Sequence, residues 1–222
     1  MGNINNKKLD LVIFGATGFT GRLIVEYILK NYGALNNDFK WAIAGRNVES
    51  LEKIRRELSH IDSDIKTIPI IISDSFNEQD LDALTYQTKS VISTVGPYLK
   101  YGKLLIASCV KNETNYFDLT GEVPFIRESI DNYNEKAKCK IVHSCGFDSL
   151  PSDMGVMFLQ EYVYKKTNTY CTNIKLYVEG FKGGFSGGTL ASILNIDRYI
   201  KNNPDLKGLL GNPYALNPLH MM

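Results

Sequence analysis

A chain of 222 residues, 44% hydrophobic and 22% charged, has room for one sizeable domain and part of another, with the balance of an ordinary soluble globular protein. Its net charge of +1 gives no electrostatic footprint for nucleic acid or an acidic membrane surface. No apolar run is long enough to cross a bilayer and the N-terminus lacks the apolar core of a signal peptide, so a cytoplasmic protein without a transmembrane segment is expected.

Short apolar runs alternate with helical patterns along most of the chain. The runs are Leu9–Phe14, Lys40–Ala44, Ile68–Ile72, Ser90–Val95, Thr114–Asp118 and Cys139–Cys145. Several are apolar on consecutive positions, as in strands buried on both faces of a parallel sheet. Pro69 fits only near the start of its strand. Between the runs, Leu23, Ile24, Tyr27 and Ile28 form one helical stripe, and Leu51, Ile54 and Leu58 a second. Phe125, Ile126, Ser129, Ile130 and Tyr133 form a third, with Pro124 in its first turn. This describes an α/β fold, a Rossmann-type doubly wound parallel sheet over residues 9–145 with strand order 3-2-1-4-5-6.

The pattern changes near residue 146. Ile174, Leu176 and Val178 alternate with Lys175, Tyr177 and Glu179, which predicts a half-buried strand over Asn173–Glu179. A helix follows around Leu190–Ile200. Residues 146–222 therefore read as the start of a second, mixed α+β domain that carries substrate or mediates dimerisation and is too short to close its own core.

The first strand runs into Gly15-Ala16-Thr17-Gly18-Phe19-Thr20-Gly21 and then a helix, the context in which a glycine-rich turn binds a dinucleotide. Gly15 permits the tight turn, Gly18 leaves space for a pyrophosphate, and Gly21 lets the helix pack closely. The helix start supplies free N–H groups and the positive end of its dipole. The second strand ends in Ala44-Gly45-Arg46-Asn47. An NAD-selective site places an acid there for the ribose 2′-OH, whereas the Arg46 guanidinium suits the 2′-phosphate of NADP. Asp74, after the third strand, reads either as a partner for the adenine amino group or as a helix cap. Gly96, after the fourth, reads either as a place where backbone approaches a cofactor or as part of a plain turn.

Candidates for chemistry are fewer. Asp118 and Glu122 read as an acid/base pair or as caps of the helix near Val123. Cys145 faces either a nicotinamide or the interior, and His143 is expected inside its strand. Ser149, Tyr162 and Lys166 have the spacing of a short-chain dehydrogenase triad, but about 16 Å of helix carries Tyr162 away from the sheet edge. Ser186-Gly187-Gly188-Thr189 reads as a turn with a cap or as an anion site. The four cysteines form no C-x-x-C pair and only three histidines accompany them, so no metal site is expected.

The segments VIFGATGFTGRLI, WAIAGRN, VISTVGPY, YFDLTGE, HSCGFDSLPSDMG and FSGGTLASIL, in this order, resemble the saccharopine dehydrogenase-like oxidoreductases, relatives of the trans-acting enoyl reductases. The resemblance implies an N-terminal NADP(H)-binding domain and hydride transfer to an imine or enoyl group. By matching motif it puts the cofactor on Gly15, Thr17, Gly18, Phe19, Thr20, Gly21, Arg46, Asp74, Gly96 and Pro97. It assigns no catalytic residue. No paired basic clamp for an amino-dicarboxylate is evident, which favours an apolar or lipid-linked small-molecule substrate. A non-catalytic NADP-binding scaffold, peripheral to lipid droplets or membranes, is the alternative, and a homodimer through the second region is left open.

Overall fold

The computed structural model describes residues 7–180, 182–184 and 187–217. Six strands form one sheet: β1 (Leu9–Phe14), β2 (Trp41–Gly45), β3 (Ile70–Ile72), β4 (Thr88–Ser93), β5 (Asn115–Asp118) and β6 (Ile141–Val142). Every pairing is parallel and the order is β3-β2-β1-β4-β5-β6, as the alternation of strands and helices predicts. The connecting helices are α1 (Phe19–Tyr32), α2 (Val48–Leu58), α3 (Glu78–Tyr86), α4 (Tyr98–Tyr101), α5 (Lys103–Lys111) and α6 (Val123–Tyr133). Pro69 sits immediately before β3, where its missing N–H costs no ladder bond.

Both faces of the sheet are covered, which is why β1 is apolar at consecutive positions. Leu11 and Ile13 point into the layer made by Val25, Ile28 and Leu29 of α1 and by Leu51, Ile54 and Leu58 of α2. Val12 and Phe14 point into the other, against Leu81 and Leu84 of α3, Leu105 and Ile106 of α5, and Phe125 of α6. Each such side chain contributes roughly 1.5–3 kcal/mol by leaving water.

Helices α2 and α6 bury the stripes expected of them, at Leu51, Ile54, Leu58, Phe125, Ile126 and Ser129. Helix α1 does so only in part: Ile28 is buried and Ile24 half-buried, but Leu23 and Tyr27 are exposed, and Gly21, Val25 and Leu29 complete the buried set. The cause is the glycine turn. A Cβ on Gly21 would stand 2.2 Å from the Gly15 carbonyl oxygen, so position 21 must face the sheet. That fixes the helix rotation, and positions 25, 28 and 29 follow it inward.

The last strand is shorter than expected. It ends at Val142, because Ser144 adopts a left-handed backbone (φ 59°) that turns the chain out of the sheet, and His143 stands just beyond it.

After residue 146 come α7 (Leu150–Thr167), α8 (Gly187–Asn202) and α9 (Lys207–Gly211). The expected strand over Asn173–Glu179 is not formed. Leu176 and Val178 are exposed, since no strand among the described residues offers them a ladder. Part of this region packs on the sheet and its helices nonetheless: Ile196 and Tyr199 of α8 join their core, and Arg127 donates to the carbonyls of Ala215 and Asn217. No side chain of α7 is buried. No helix among the described residues is long and apolar enough to cross a membrane.

Candidate functional site

Register sets the site. Phe14 pairs with Ala44 on one side and Ser93 on the other, so β1, β2 and β4 end level and their following residues emerge at one edge. The cleft they enclose holds about 300 Å³ and is lined by Gly15, Thr17, Gly18, Arg46, Ser73, Asp74, Phe76, Val95, Gly96 and others. Six of the ten residues expected at a cofactor therefore line a single cleft: Gly15, Thr17, Gly18, Arg46, Asp74 and Gly96.

The glycine turn is built for close approach. Gly15 has φ +88°, and a Cβ there would lie 2.6 Å from Val95 Cγ2 and 2.8 Å from Thr94 Oγ1. Thr94 was missed by sequence reasoning. Its hydroxyl donates to the Gly15 carbonyl at 3.0 Å and to that of Phe14 at 3.2 Å, tying the β4 loop to the turn. Gly18 is extended (φ −73°, ψ 165°), so any need for glycine there comes from space and not from backbone strain. It precedes Phe19, Thr20 and Gly21, the first turn of α1. No side chain among the described residues caps that helix, and its first turn holds no acid. Uncapped N–H groups at a positive dipole end suit an anion.

Arg46 is exposed at the mouth of β2, and no ion pair among the described residues engages it. The neighbouring Asn47 caps α2, accepting from Ser50 N at 2.7 Å. Arg46 is thus left to face an incoming anion. Asp74 Oδ1 accepts from Phe76 N at 2.8 Å, and Asn77, not Asp74, caps α3. Gly96 and Pro97 are joined by a cis peptide bond just before α4, and Gly96 lies on the cleft.

Asp118 and Glu122 make no contact with each other as an acid/base pair would, and although Glu122 stands at the N-cap position of α6, neither carboxylate caps that helix. Both are buried with their oxygens occupied. Glu122 reaches instead to α4, accepting from Tyr98 N at 2.8 Å and Leu99 N at 2.9 Å, and from Ser192 Oγ of α8 at 2.8 Å. Asp118 accepts from Thr120 N and Ser144 N and is bonded to His143 Nδ1. A carboxylate so engaged is a structural clip. Sequence offers no sign of the Glu122–Ser192 bond, because 70 residues separate the partners.

Cys145 lies away from the cofactor cleft. It lines an apolar groove of about 400 Å³ on the sheet face with Ile24, Ile92, Phe117 and Leu119. Burial, followed by the Asp118 charge, raises its thiol above the ordinary range. Neither Ser149, Tyr162 nor Lys166 lines the cleft; Tyr162 is exposed on α7 with the Lys166 ammonium 4.8 Å over its ring. Of the Ser186–Thr189 turn, Ser186 lies outside the described residues, while Gly187 opens α8.

Comparison with known proteins agrees with this architecture. The profile of the family described as Saccharopine dehydrogenase NADP binding domain matches residues 11–143, over half of the chain. A Mycobacterium tuberculosis protein provisionally named a trans-acting enoyl reductase is 40% identical over 215 residues, covering 96% of this chain and 50% of its own length. A trans-acting enoyl reductase of Mycobacterium bovis is 35% identical over 215 residues, covering 95% and 50%. The chain thus spans about half the length of these curated relatives. Among solved structures, apo saccharopine dehydrogenase (L-Glu forming) of Saccharomyces cerevisiae superposes with a TM-score of 0.50 at 18% identity, covering 72% of this chain and 31% of that one, a likeness of fold. With its sheet order, its glycine turn and this match in hand, the chain belongs to the saccharopine dehydrogenase NADP-binding domain family.

Proposed function

We propose that this chain is the cofactor-binding part of an NADP(H)-dependent oxidoreductase that transfers a hydride to an enoyl group. The observation that carries the reading is the meeting, in one cleft, of a glycine turn, a helix start with no side-chain cap and an Arg46 that no ion pair among the described residues engages. Gly15, Thr17 and Gly18, with the backbone of Phe19, Thr20 and Gly21, hold the pyrophosphate; Arg46 holds the 2′-phosphate; Asp74, Gly96 and Pro97 border the rest. The cradle fits the group, since Cβ atoms at positions 15 and 21 would fill or break the turn that shapes it. NADPH, when bound, supplies the hydride.

The choice of an enoyl over an imine acceptor is supported by the names of the mycobacterial relatives. An apolar, lipid-linked substrate accords with the lack of a basic clamp in the sequence. Residues 146–222 belong, in this reading, to a substrate-carrying second region. The Ser192–Glu122 bond supports it by anchoring α8 beside the loop that follows β4.

One observation favours a second reading, a non-catalytic NADP-binding protein. Asp118, Glu122 and Tyr98 all have their polar atoms engaged within the fold, so none is free to protonate a reduced substrate. The two readings separate in one experiment. Loss of NADPH absorbance at 340 nm upon adding an enoyl thioester supports the enzyme; tight NADPH binding without turnover of enoyl or imine substrates supports the second reading.

A further inference from the structure

Glu122 is 1% exposed, and the three donors it has among the described residues are all uncharged: Tyr98 N and Leu99 N of α4, and Ser192 Oγ of α8. A buried carboxylate depends on each of its donors, because water does not replace one that is lost. These donors come from two different elements. Tyr98 and Leu99 directly follow Gly96 and Pro97, and the Tyr98 hydroxyl donates back to the Ser93 carbonyl at 3.1 Å. The stretch from Ser93 to Tyr98, whose Gly96 lines the cleft, is thus a loop closed at its base and held from behind by Glu122. Helix α8 lies against the same loop: Ser192 Oγ stands 3.6 Å from the point where a Cβ on Gly96 would be. Oε1 of Glu122 accepts from Tyr98 N and from Ser192 Oγ at 2.8 Å each, so a single oxygen joins the cleft wall to α8.

We propose that Ser192 is a positioning residue for the cleft wall, and that through Glu122 the occupancy of the cleft and the docking of α8 favour each other. This inference rests on the proposed cofactor reading and adds to it a role for the region after residue 146. With α8 docked, the Glu122 carboxylate has its third donor and the loop that carries Gly96 is backed by a helix. With α8 released, Glu122 loses a donor and Gly96 loses its neighbour, so the wall that a dinucleotide meets is less ordered. A dinucleotide that contacts Gly96 therefore binds the docked state more tightly. Such coupling is reciprocal: the factor by which docking strengthens binding is the factor by which binding strengthens docking.

NADPH titration, together with hydrogen exchange in the presence and absence of NADPH, tests it in wild type, Ser192→Ala and Ser192→Thr. Ser192→Ala is expected to weaken NADPH by roughly fivefold or more, the lower end of typical couplings between sites. Ser192→Thr keeps the hydroxyl and is expected to restore it. In wild type, saturating NADPH is expected to slow exchange in α8 as well as in α1. In Ser192→Ala at saturation, the slowing in α1 persists while that in α8 is lost. A helix that only braces the fold would show no such cofactor-dependent difference. If wild type binds no NADPH, the cofactor reading fails and this inference with it. If wild type binds NADPH while Ser192→Ala stays within twofold, or α8 exchange in wild type does not respond to NADPH, the coupling alone is overturned and the cofactor reading stands.

Discussion

Asp118 and His143 meet at 2.8 Å across the β5–β6 edge, with the carboxylate buried and the imidazole nearly so. A carboxylate cannot donate, so Nδ1 carries the proton, and in the neutral ring Nε2 accepts from Ser129 Oγ at 3.0 Å. The ring ties α6 to the end of β5, and its edge contacts with Phe125 and Tyr116 hold it in place. His143→Ala removes one partner from each of two buried oxygens. The expected cost is about 1–3 kcal/mol for a buried group left unmet, which for a chain of this size lowers the melting temperature by roughly 2–12 °C. Thermal denaturation measures it; a melting temperature within a degree of wild type would mean that the bridge carries little.

The cofactor preference rests on Arg46. Its guanidinium is exposed at the cleft and engaged by no ion pair among the described residues, so its replacement changes charge without breaking an internal contact. Arg46→Asp is expected to lower NADPH affinity by about 1–3 kcal/mol, one charge-assisted contact, and to leave NADH equal or better. Calorimetric titration with both cofactors decides it. Equal affinity for the two in wild type would remove the basis for the assignment.

Gly18 and Gly21 make different demands. At Gly18 a Cβ would meet only the Gly15 oxygen at 3.4 Å, and the backbone is extended, so a larger residue is compatible with folding. Gly18→Val is expected to keep the melting temperature and to abolish NADPH binding by filling the phosphate space. At Gly21 the added carbon would stand 2.2 Å from backbone oxygen. Gly21→Ala is therefore expected to lose stability as well as binding. A pair of melts and titrations separates the two positions.

Much of the fold is legible in sequence because its causes are local. The positions of the first five strands, the sheet order and the cleft follow from consecutive apolar residues and from one glycine turn, whereas β6 is cut short and Asn173–Glu179 forms no strand. The α1 stripe is not legible in the same way, because its rotation depends on the contact of Gly21 with the Gly15 carbonyl, which periodicity alone does not contain. Glu122 misleads for a related reason. Its position before Val123 suggests a cap for the following helix, yet its carboxylate binds the first amides of α4 and Ser192, partners 23 to 70 residues away. Thr94 and Phe76 carry a faint signal, as neighbours of Gly96 and Asp74, that only the fold makes specific.

Acid sensitivity should localise in part to Asp82. Its carboxylate accepts from Lys111 and from Ser108 Oγ, joining α3 to α5. The Lys111 hydrogen bond, then that of Ser108, holds its pKa below the ordinary value. A carboxyl depressed in the folded state stabilises the fold above its unfolded pKa near 4, and that contribution is lost as pH falls through the folded value. Asp82→Asn is expected to cost under about 1 kcal/mol at pH 7, given its partial exposure, and progressively less as pH falls through the depressed folded value. Urea denaturation of both proteins at pH 7 and in acid measures the difference; a gap that does not shrink in acid would show that the lost contacts are not electrostatic.

Residues after 146 divide sharply by their contacts, and hydrogen exchange should divide them the same way. Asn173–Glu179 has strand-like alternation but no strand pairing, with Leu176 and Val178 exposed. Its amides have no ladder to protect them and are expected to exchange at close to unprotected rates. In α8, by contrast, Ile196 and Tyr199 pack on the core and Ser192 is bonded to the buried Glu122 carboxylate. Its central amides are expected to exchange at least tenfold more slowly than those of α7, in which no side chain is buried. Ser192→Ala removes the tie from α8 to Glu122 without touching the Tyr98 and Leu99 amides, and should raise exchange in α8 while α5 stays protected. Slow exchange across Asn173–Glu179 in a demonstrated monomer would mean that this strand finds a partner within the chain after all.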